Sequence, residues 1–369
     1  MRESVMKSLF DETKLNDVIL ENRCIRSATW EGMADETGHL KQAHERIYEK
    51  LASGGIGLII TGMAGVLGPS PQMFGIYDDS FIEEYAKLTL AAHKHNTPIV
   101  MQLAYQGSQG GRKVAGGKLW GMSALRQRTS GARPREVTKD DIAVLVASFA
   151  QAARRAKQAG FDGVQLHVAH GYFLNQCLSS YYNRRSDEYG GGIENRARIL
   201  YEVCSAVREA VGDNYLLMAK VNGEDLFEGG LTLEESIKVC QGLEERGITA
   251  IEVSGGQAPQ RGEEYGIIRT GLEKPEEQSY FAYQAARIAQ EIGVPVAVVG
   301  GNREPKRLEN ILNTTDIEYL SFCRPLIREP SLLHRWGSGD LRKATCNSCN
   351  WCLKNAMEGK DLACVFETD

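Results

Sequence analysis

The chain has no run approaching the ~18 consecutive apolar residues of a membrane span, so nothing in it reads as a transmembrane helix. It also lacks an excess of positive charge: 43 Lys and Arg stand against 48 Asp and Glu, for a net charge of −5. That balance excludes a nucleic-acid binder built on bulk positive charge. Residues Met1 to Phe10 show no apolar core and no small-residue cleavage site of a secretory signal, so a cytoplasmic protein is the expectation. There is no low-complexity segment and no internal repeat beyond a short alternating unit. Missing too is a Gly-x-Gly-x-x-Gly turn after the first strand-like run, which instead leads into Thr29-Trp30-Glu31. A doubly wound dinucleotide-binding sheet usually carries that turn.

What is present is a long chain of ordinary globular composition, with 369 residues, 42% apolar and 25% charged. At roughly 150 residues per domain the length suggests two or three domains, although one α/β barrel can absorb most of it. The alternating unit decides between these. Short apolar runs at Cys24–Ala28, Gly57–Thr61, Ile99–Leu103, Gly163–His167, Leu217–Val221, Ala250–Val253, Val296–Val299 and Tyr319–Phe322 have the character of parallel strands buried on both faces. Helical periods lie between them at Asp140–Gln158, Glu194–Val211, Thr232–Arg246 and Glu276–Ile292. Gly160, Gly247 and Gly293 follow three of these as helix stops. Eight β-then-α units without a linker predict a (β/α)₈ TIM barrel over residues 1–337, with a short Cys-rich extension at 338–369 packed on it.

Barrel chemistry sits at the C-terminal ends of the strands. There the first two runs supply Ser27, Ala28, Thr29 and Gly62, the third supplies Gln102, and the fifth Lys220. Gly300-Gly301 follows the seventh, and Cys323-Arg324 the eighth. The glycines alone fit a tight turn as well as a phosphate cradle; their pairing with the Arg324 fork favours phosphate. Donors, acceptors and one cation around the rim suit a planar heterocycle with a phosphate tail, and FMN fits. Gln102 would read its pyrimidine edge, and Lys220 would stabilise negative charge at N1 and O2 of the reduced ring. Lys220 has a solvated strand-end position as its alternative, which the apolar Leu216–Ala219 run before it disfavours.

The fourth run ends in His167-Val168-Ala169-His170-Gly171-Tyr172. Two histidines three apart can donate from one wall, polarising a carbonyl oxygen while Tyr172 gives a proton to a weakly acidic carbon. They also suit metal ligation, but no Asp or Glu within the motif completes a set. The segment from Tyr105 to Val137 is rich in Gly, Arg, Ser and Gln without a sustained period, and reads as an active-site cover.

On these residues the chain resembles the Old Yellow Enzyme family of FMN-dependent NAD(P)H oxidoreductases. The likeness runs through Asn22-Arg23, Arg26-Ser27-Ala28-Thr29, Gln102-Leu103-Ala104, His167-x-x-His170-Gly171-Tyr172, Asn183-Arg184-Arg185, Asp187-Glu188-Tyr189-Gly190-Gly191, Glu194-Asn195-Arg196, Gly300-Gly301 and Arg324-Pro325. It implies ping-pong catalysis. NAD(P)H reduces the flavin and leaves; an α,β-unsaturated carbonyl compound then binds through His167 and His170, takes hydride from N5 at Cβ, and takes a proton from Tyr172 at Cα. The Asp187–Arg196 stretch reads as loop bracing. Departures are Trp30 where a Cys or Thr near flavin O4 is common, Lys220 for a frequent arginine, and Tyr105 for a histidine in the pocket wall.

Nine cysteines divide into five scattered thiols (Cys24, Cys177, Cys204, Cys240, Cys323) and a cluster, Cys346-x2-Cys349-x2-Cys352-x11-Cys364. The scattered five read as buried thiols. The cluster's opening spacing is that of bacterial ferredoxin ligands, which suits [4Fe–4S]; structural zinc and four free thiols are the alternatives. The spacing also resembles the cluster region of the trimethylamine dehydrogenase and 2,4-dienoyl-CoA reductase families, whose barrels are followed by further nucleotide-binding domains. The sequence ends five residues after Cys364, so the expectation is that an electron relay needs a separate partner. An amine dehydrogenase is therefore the rival function, although its flavin-attaching cysteine is replaced here by Trp30. A substrate-free flavin redox carrier and a metal-dependent barrel lyase using His167 and His170 are further readings. The enone class of small molecule is the expected substrate, and a homo-oligomer stays open.

Overall fold

The eight apolar runs become eight parallel strands that close on themselves. In the computed structural model, which describes residues 6–70, 73–109, 119–126, 131–256, 268–272 and 274–366, these are β1 Cys24–Arg26, β2 Leu58–Gly65, β3 Ile99–Ala104, β4 Gly163–Val168, β5 Leu216–Asn222, β6 Ala250–Ser254, β7 Val296–Val299 and β8 Tyr319–Phe322. They follow one another around the sheet in chain order. β1 closes the ring, pairing with β8 through Arg26 and Phe322 and with β2 through Arg26 and Ile59. The outer layer comprises α1 Gln42–Ser53, α2 Ile82–His93, α3 Lys139–Gln158, α4 Arg198–Val211, α5 Leu233–Glu244, α6 Ala282–Ala289, α7 Pro305–Thr314, α8 Arg324–Arg328 and α9 Leu332–Gly337. This is a (β/α)₈ barrel. Among the described residues no helix is long and apolar enough to cross a membrane.

Successive strand side chains point to opposite faces, and the two faces have separate cores. Ile59, Met101, Leu166 and Leu217 face outward into the large helix-packed cluster. Ile25, Leu58, Val100, Met218, Ala250, Ala297 and Tyr319 face inward at the N-terminal end of the barrel. A hairpin of Thr13–Leu15 with Val18–Leu20 stoppers that end, burying Leu15 and Leu20 in the inner cluster. Two residues further along, the inward positions turn polar: Gln102, Gln165, Lys220, Glu252 and Ser321 are all buried.

Two helical stretches differ from the sequence reading. The period over Glu194–Val211 is broken at Ala197 into Ile193–Arg196 and α4. The period over Glu276–Ile292 gives a 3₁₀ turn at Pro275–Glu277 and only then α6. The cause lies between them. Ser279 is left-handed at φ 50°, its hydroxyl donates to Asn302 Oδ1 at 2.9 Å, and the Tyr280 N–H goes to Gly300 O at 3.0 Å. Those residues are committed to the loop after β7 instead of a helix. Gly160 and Gly247 are left-handed helix stops as expected, whereas Gly293 has no positive φ.

The Asp187–Arg196 segment braces a loop. Arg185 grips Asp187 with Nε at 3.0 Å and Nη2 at 2.6 Å, and Asn183 Nδ2 donates to the carbonyls of Cys177 and Tyr189, both at 2.8 Å. Arg196 pairs with Glu235 at the start of α5. A Cβ on Gly190 would stand 2.0 Å from the Arg185 carbonyl oxygen. Gly190→Ala is therefore expected to cost about 2–3 kcal/mol, read as a lowered thermal midpoint; an unchanged midpoint would contradict this packing.

Candidate active site

One cavity of about 450 Å³ opens at the C-terminal ends of the strands. It gathers Ser27, Ala28, Thr29, Gln102, His167, His170, Tyr172, Lys220, Gly300, Gly301 and Arg324, all singled out from the sequence. Gly62 is not among its lining residues. Its N–H donates to the Tyr48 hydroxyl at 2.9 Å, and a Cβ there would strike the Glu31 carboxylate at 2.0 Å. Tyr105 also sits behind the wall: its hydroxyl accepts the Trp120 N–H at 3.2 Å and its ring packs on Phe173. It anchors the segment after β3, of which residues 110–118 and 127–130 fall outside the described residues. Trp30 does line the cavity and lies against Gly32.

Lys220 is not solvated, at 3% exposure. Its Nζ donates to Ser27 Oγ at 2.7 Å and stands 3.5 Å from Glu252 Oε2. The same carboxylate accepts Gln165 Nε2 at 2.9 Å, and Gln165 Oε1 accepts Gln102 Nε2 at 2.8 Å. A carboxylate only accepts, so this chain has a direction. Glu252 turns the Gln165 oxygen towards Gln102, which must answer with its NH₂ group. Gln102 Oε1 then remains as an acceptor for the cavity, matching the N3–H of a flavin pyrimidine edge. Gln165 and Glu252 were missed in the sequence. Their signal was there: a polar residue inside an apolar run, two positions before His167 and Ser254, on the same strand face.

The histidine wall is held by backbone geometry. His170 is left-handed at φ 62°, and Gly171 follows at φ 74°. Their N–H groups donate to Asn222 Oδ1 at 3.2 Å and Asn175 Oδ1 at 2.8 Å. Asp225, whose carboxyl is raised to about 6 by burial, ties both asparagines together. The turn presents His167 and His170 with centroids 5.2 Å apart, and Tyr172 4.7 Å from His167. His170 Nε2 meets Ser254 Oγ at 2.7 Å, whereas His167 Nδ1 is buried with no partner among the described residues. Burial, then the Lys220 charge, holds His167 down at about 3. Burial, then His167 and Lys220, keeps His170 well below its ordinary 6.5. Burial pushes Tyr172 up to about 12. Both imidazoles are neutral and the phenol keeps its proton across the physiological range.

At the other end, Gly300 and Gly301 are left-handed, with φ 128° and 75°, and leave backbone close to the cavity. The Arg324 fork is turned towards the tail: Nη1 donates to Asn350 Oδ1 at 2.6 Å, the Arg269 carbonyl at 2.8 Å and the Ser348 carbonyl at 3.3 Å. Cys323 Sγ is 3.0 Å from Thr29 Oγ1. The tail crosses this face, with helix α10 at Trp351–Met357, and Ala356 and Leu362 pack with Met33 and Trp30. Cys346, Cys349, Cys352 and Cys364 line one small side cavity, and Cys352 lines the main cavity as well. Among the described residues, no three His, Cys, Asp or Glu side chains are placed to hold a metal ion. Four thiols suit a thiolate site by their chemistry, but the side chains as they stand do not form one, and no third ligand among the described residues joins His167 and His170.

The family description for NADH:flavin oxidoreductases and NADH oxidases matches residues 8–341. The chain belongs to this family. An NADPH dehydrogenase of Listeria innocua is 32% identical over 88% of the chain and 93% of that relative. A metal reductase of Desulforamulus reducens is also 32% identical, over 99% of the chain but 54% of the relative, so the chain spans about half its length. Among solved structures, histamine dehydrogenase from Rhizobium sp. 4-9 superposes with a TM-score of 0.85 at 25% identity, covering 96% of the chain and 51% of that protein. The family is one of FMN-dependent oxidoreductases using NADH or NADPH. The residues around the cavity fit that cofactor: Gln102 offers an acceptor, Lys220 a cation, and the left-handed glycines a backbone cradle.

Glu31, behind the β1 rim, is a fully buried carboxyl that accepts the Tyr48 hydroxyl at 2.8 Å. Burial raises it from 4.5 to about 7, against the Arg26 charge and the Tyr48 bond that lower it. The folded chain thus holds a proton there that the unfolded chain has lost, so stability falls as pH rises between these values. The loss across that window is on the order of 3 kcal/mol. Denaturant titrations of wild type and Glu31→Gln should show the slope in the first only; parallel slopes would contradict the assignment.

Proposed function

We propose that this chain reduces the C=C bond of α,β-unsaturated carbonyl compounds with electrons from NAD(P)H. The observation carrying the reading is the wall of two neutral imidazoles beside a protonated phenol, with His167 Nδ1 buried and unpartnered. FMN, held by Gln102, Lys220 and the Gly300-Gly301 turn, would supply the hydride chemistry that links the nicotinamide to the substrate's Cβ. Gln102 and Lys220 orient the ring's pyrimidine edge and supply positive potential there. The Gly300-Gly301 turn, whose left-handed backbone lines the cavity, would supply the phosphate end.

His167 and His170 hold the substrate's carbonyl oxygen. Because both are neutral, they act as hydrogen-bond donors and do not exchange a full charge, and their bonds strengthen as the oxygen gains enolate character. Ser254 holds the His170 ring by its Nε2. Tyr172 donates the Cα proton, which its raised pKa keeps in place until the carbanion-like carbon develops.

A second reading, an amine dehydrogenase passing electrons to a separate partner, is favoured by one observation: the four tail thiols share a cavity whose Cys352 also faces the main one. Cys346, Cys349, Cys352 and Cys364 would hold a [4Fe–4S] cluster, supplying a one-electron exit. Anaerobic purification with iron and acid-labile sulfide analysis, followed by turnover with cyclohexenone against an amine, separates the two readings. Iron with amine turnover and no enone turnover overturns the first.

The double variant His167→Ala/His170→Ala should leave flavin reduction by NAD(P)H intact and lower enone reduction by about 10²–10³-fold. Tyr172→Phe should lower the same half-reaction by about 10²-fold or more. Unchanged enone turnover in the double variant would sink the assignment. The enone half-reaction should show no ionisation of either histidine at about pH 6.5; a step there that vanishes in the double variant would contradict neutral donors.

A further inference from the structure

The Lys220 cation does not act on the cavity alone. Lys220 and Glu252 stand opposite one another in the β5–β6 register, so their side chains emerge on the same face of the sheet. They are 3% and 0% exposed, and Nζ and Oε2 are 3.5 Å apart. Among the described residues, Glu252 Oε1 is buried with no hydrogen-bond partner, and Oε2 accepts only the neutral Gln165 amide besides facing Lys220. Lys220 in turn gives one bond to the neutral Ser27 hydroxyl. Among the described residues, the two charges are thus each other's only ionic partner in this layer.

We propose that Glu252 is the counter-charge of Lys220 and sets the reduction potential of a flavin bound above them. The inference rests on the flavin reading of the cavity and adds a residue that does not line it. Glu252 is a positioning residue in this account: it acts through Lys220 and through the Gln165–Gln102 amides. A flavin ring gains negative charge on reduction, and a lone buried cation beneath it would favour that form strongly. With a carboxylate 3.5 Å from the cation, much of that field is cancelled within the protein. The potential is then held below what Lys220 alone would give, keeping the reduced ring a ready hydride donor.

The test uses the full chain loaded with FMN, in wild type, Glu252→Gln and the double variant Lys220→Met/Glu252→Gln. The two-electron midpoint potential is measured by equilibration against a reference dye. Glu252→Gln keeps the shape and removes the charge. Its ratio of reduced to oxidised FMN affinity should rise by about tenfold or more, which is about 30 mV more positive for a two-electron couple. The double variant removes both charges, so it folds without an unpaired buried ion, and its ratio should stay within about threefold of wild type, or about 14 mV. A potential that is unchanged or more negative in Glu252→Gln overturns the proposal. If that variant does not fold, the double variant still decides. A fall of about tenfold there would mean that Lys220 was acting uncompensated. A wild-type chain that takes up no FMN overturns the flavin reading itself, an outcome visible before any variant is compared.

Discussion

Everything at the mouth of this barrel depends on the inward face of the strands changing from apolar to polar within two residues. Val100 gives way to Gln102, Met218 to Lys220, Ala250 to Glu252, and Tyr319 to Ser321. The lower layer fills the barrel with side chains and is sealed by Leu15 and Leu20 of the hairpin. The upper layer links its buried polar groups through an amide–carboxylate–ammonium chain, with Glu252 Oε1 and Ser321 Oγ left without a partner among the described residues. Because a buried polar group without a partner is costly, this layer is rigid and directional. It is a floor that offers the cavity one amide acceptor and one cation paired with a carboxylate.

The wall above that floor is built on a different constraint. A left-handed His170 is unfavourable for a residue with a Cβ, and it persists because Asn222, Asn175 and Asp225 over-determine the turn. The outcome is two imidazoles kept neutral by burial and by the nearby Lys220 charge. Floor and wall are thereby electrostatically linked: the Lys220 ammonium in the floor also disfavours protonation of His167 and His170 in the wall.

The strand positions and the barrel were legible in the sequence because parallel strands buried on both faces are uninterrupted apolar runs, and all eight reappear within a few residues. The rim residues were legible because a barrel exposes chemistry only at strand ends. Gln165 and Glu252 were not read, since a polar residue inside an apolar run looks like noise until the neighbouring strand supplies its partner. Gly62 was assigned to the cavity as the residue after the apolar run Gly57–Thr61, but it lies inside β2, where glycine serves the close approach of Glu31. Arg324 was read as a phosphate fork, whereas its Nη1 bonds reach Ser348 and Asn350 of the tail. A sequence that separates Arg324 from Asn350 by 26 positions gives no sign of that contact. The helix expected across Ser279 failed for a similar reason, a tertiary bond to Asn302 outweighing local period.

Arg324 and Ile327 of α8, with Asn350 and Cys352 of the tail, line both the small thiol cavity and the main one, so whatever the four thiols bind adjoins the cavity assigned to the flavin. The central claim concerns the main cavity, and one measurement addresses it directly. The purified chain is titrated anaerobically with NADPH or NADH, then with cyclohexenone, while its visible absorption is followed. The account predicts flavin bands at one FMN per chain, bleached by the nicotinamide and restored by the enone. A colourless chain that takes up no FMN, or a bleached one that cyclohexenone does not restore, would contradict it.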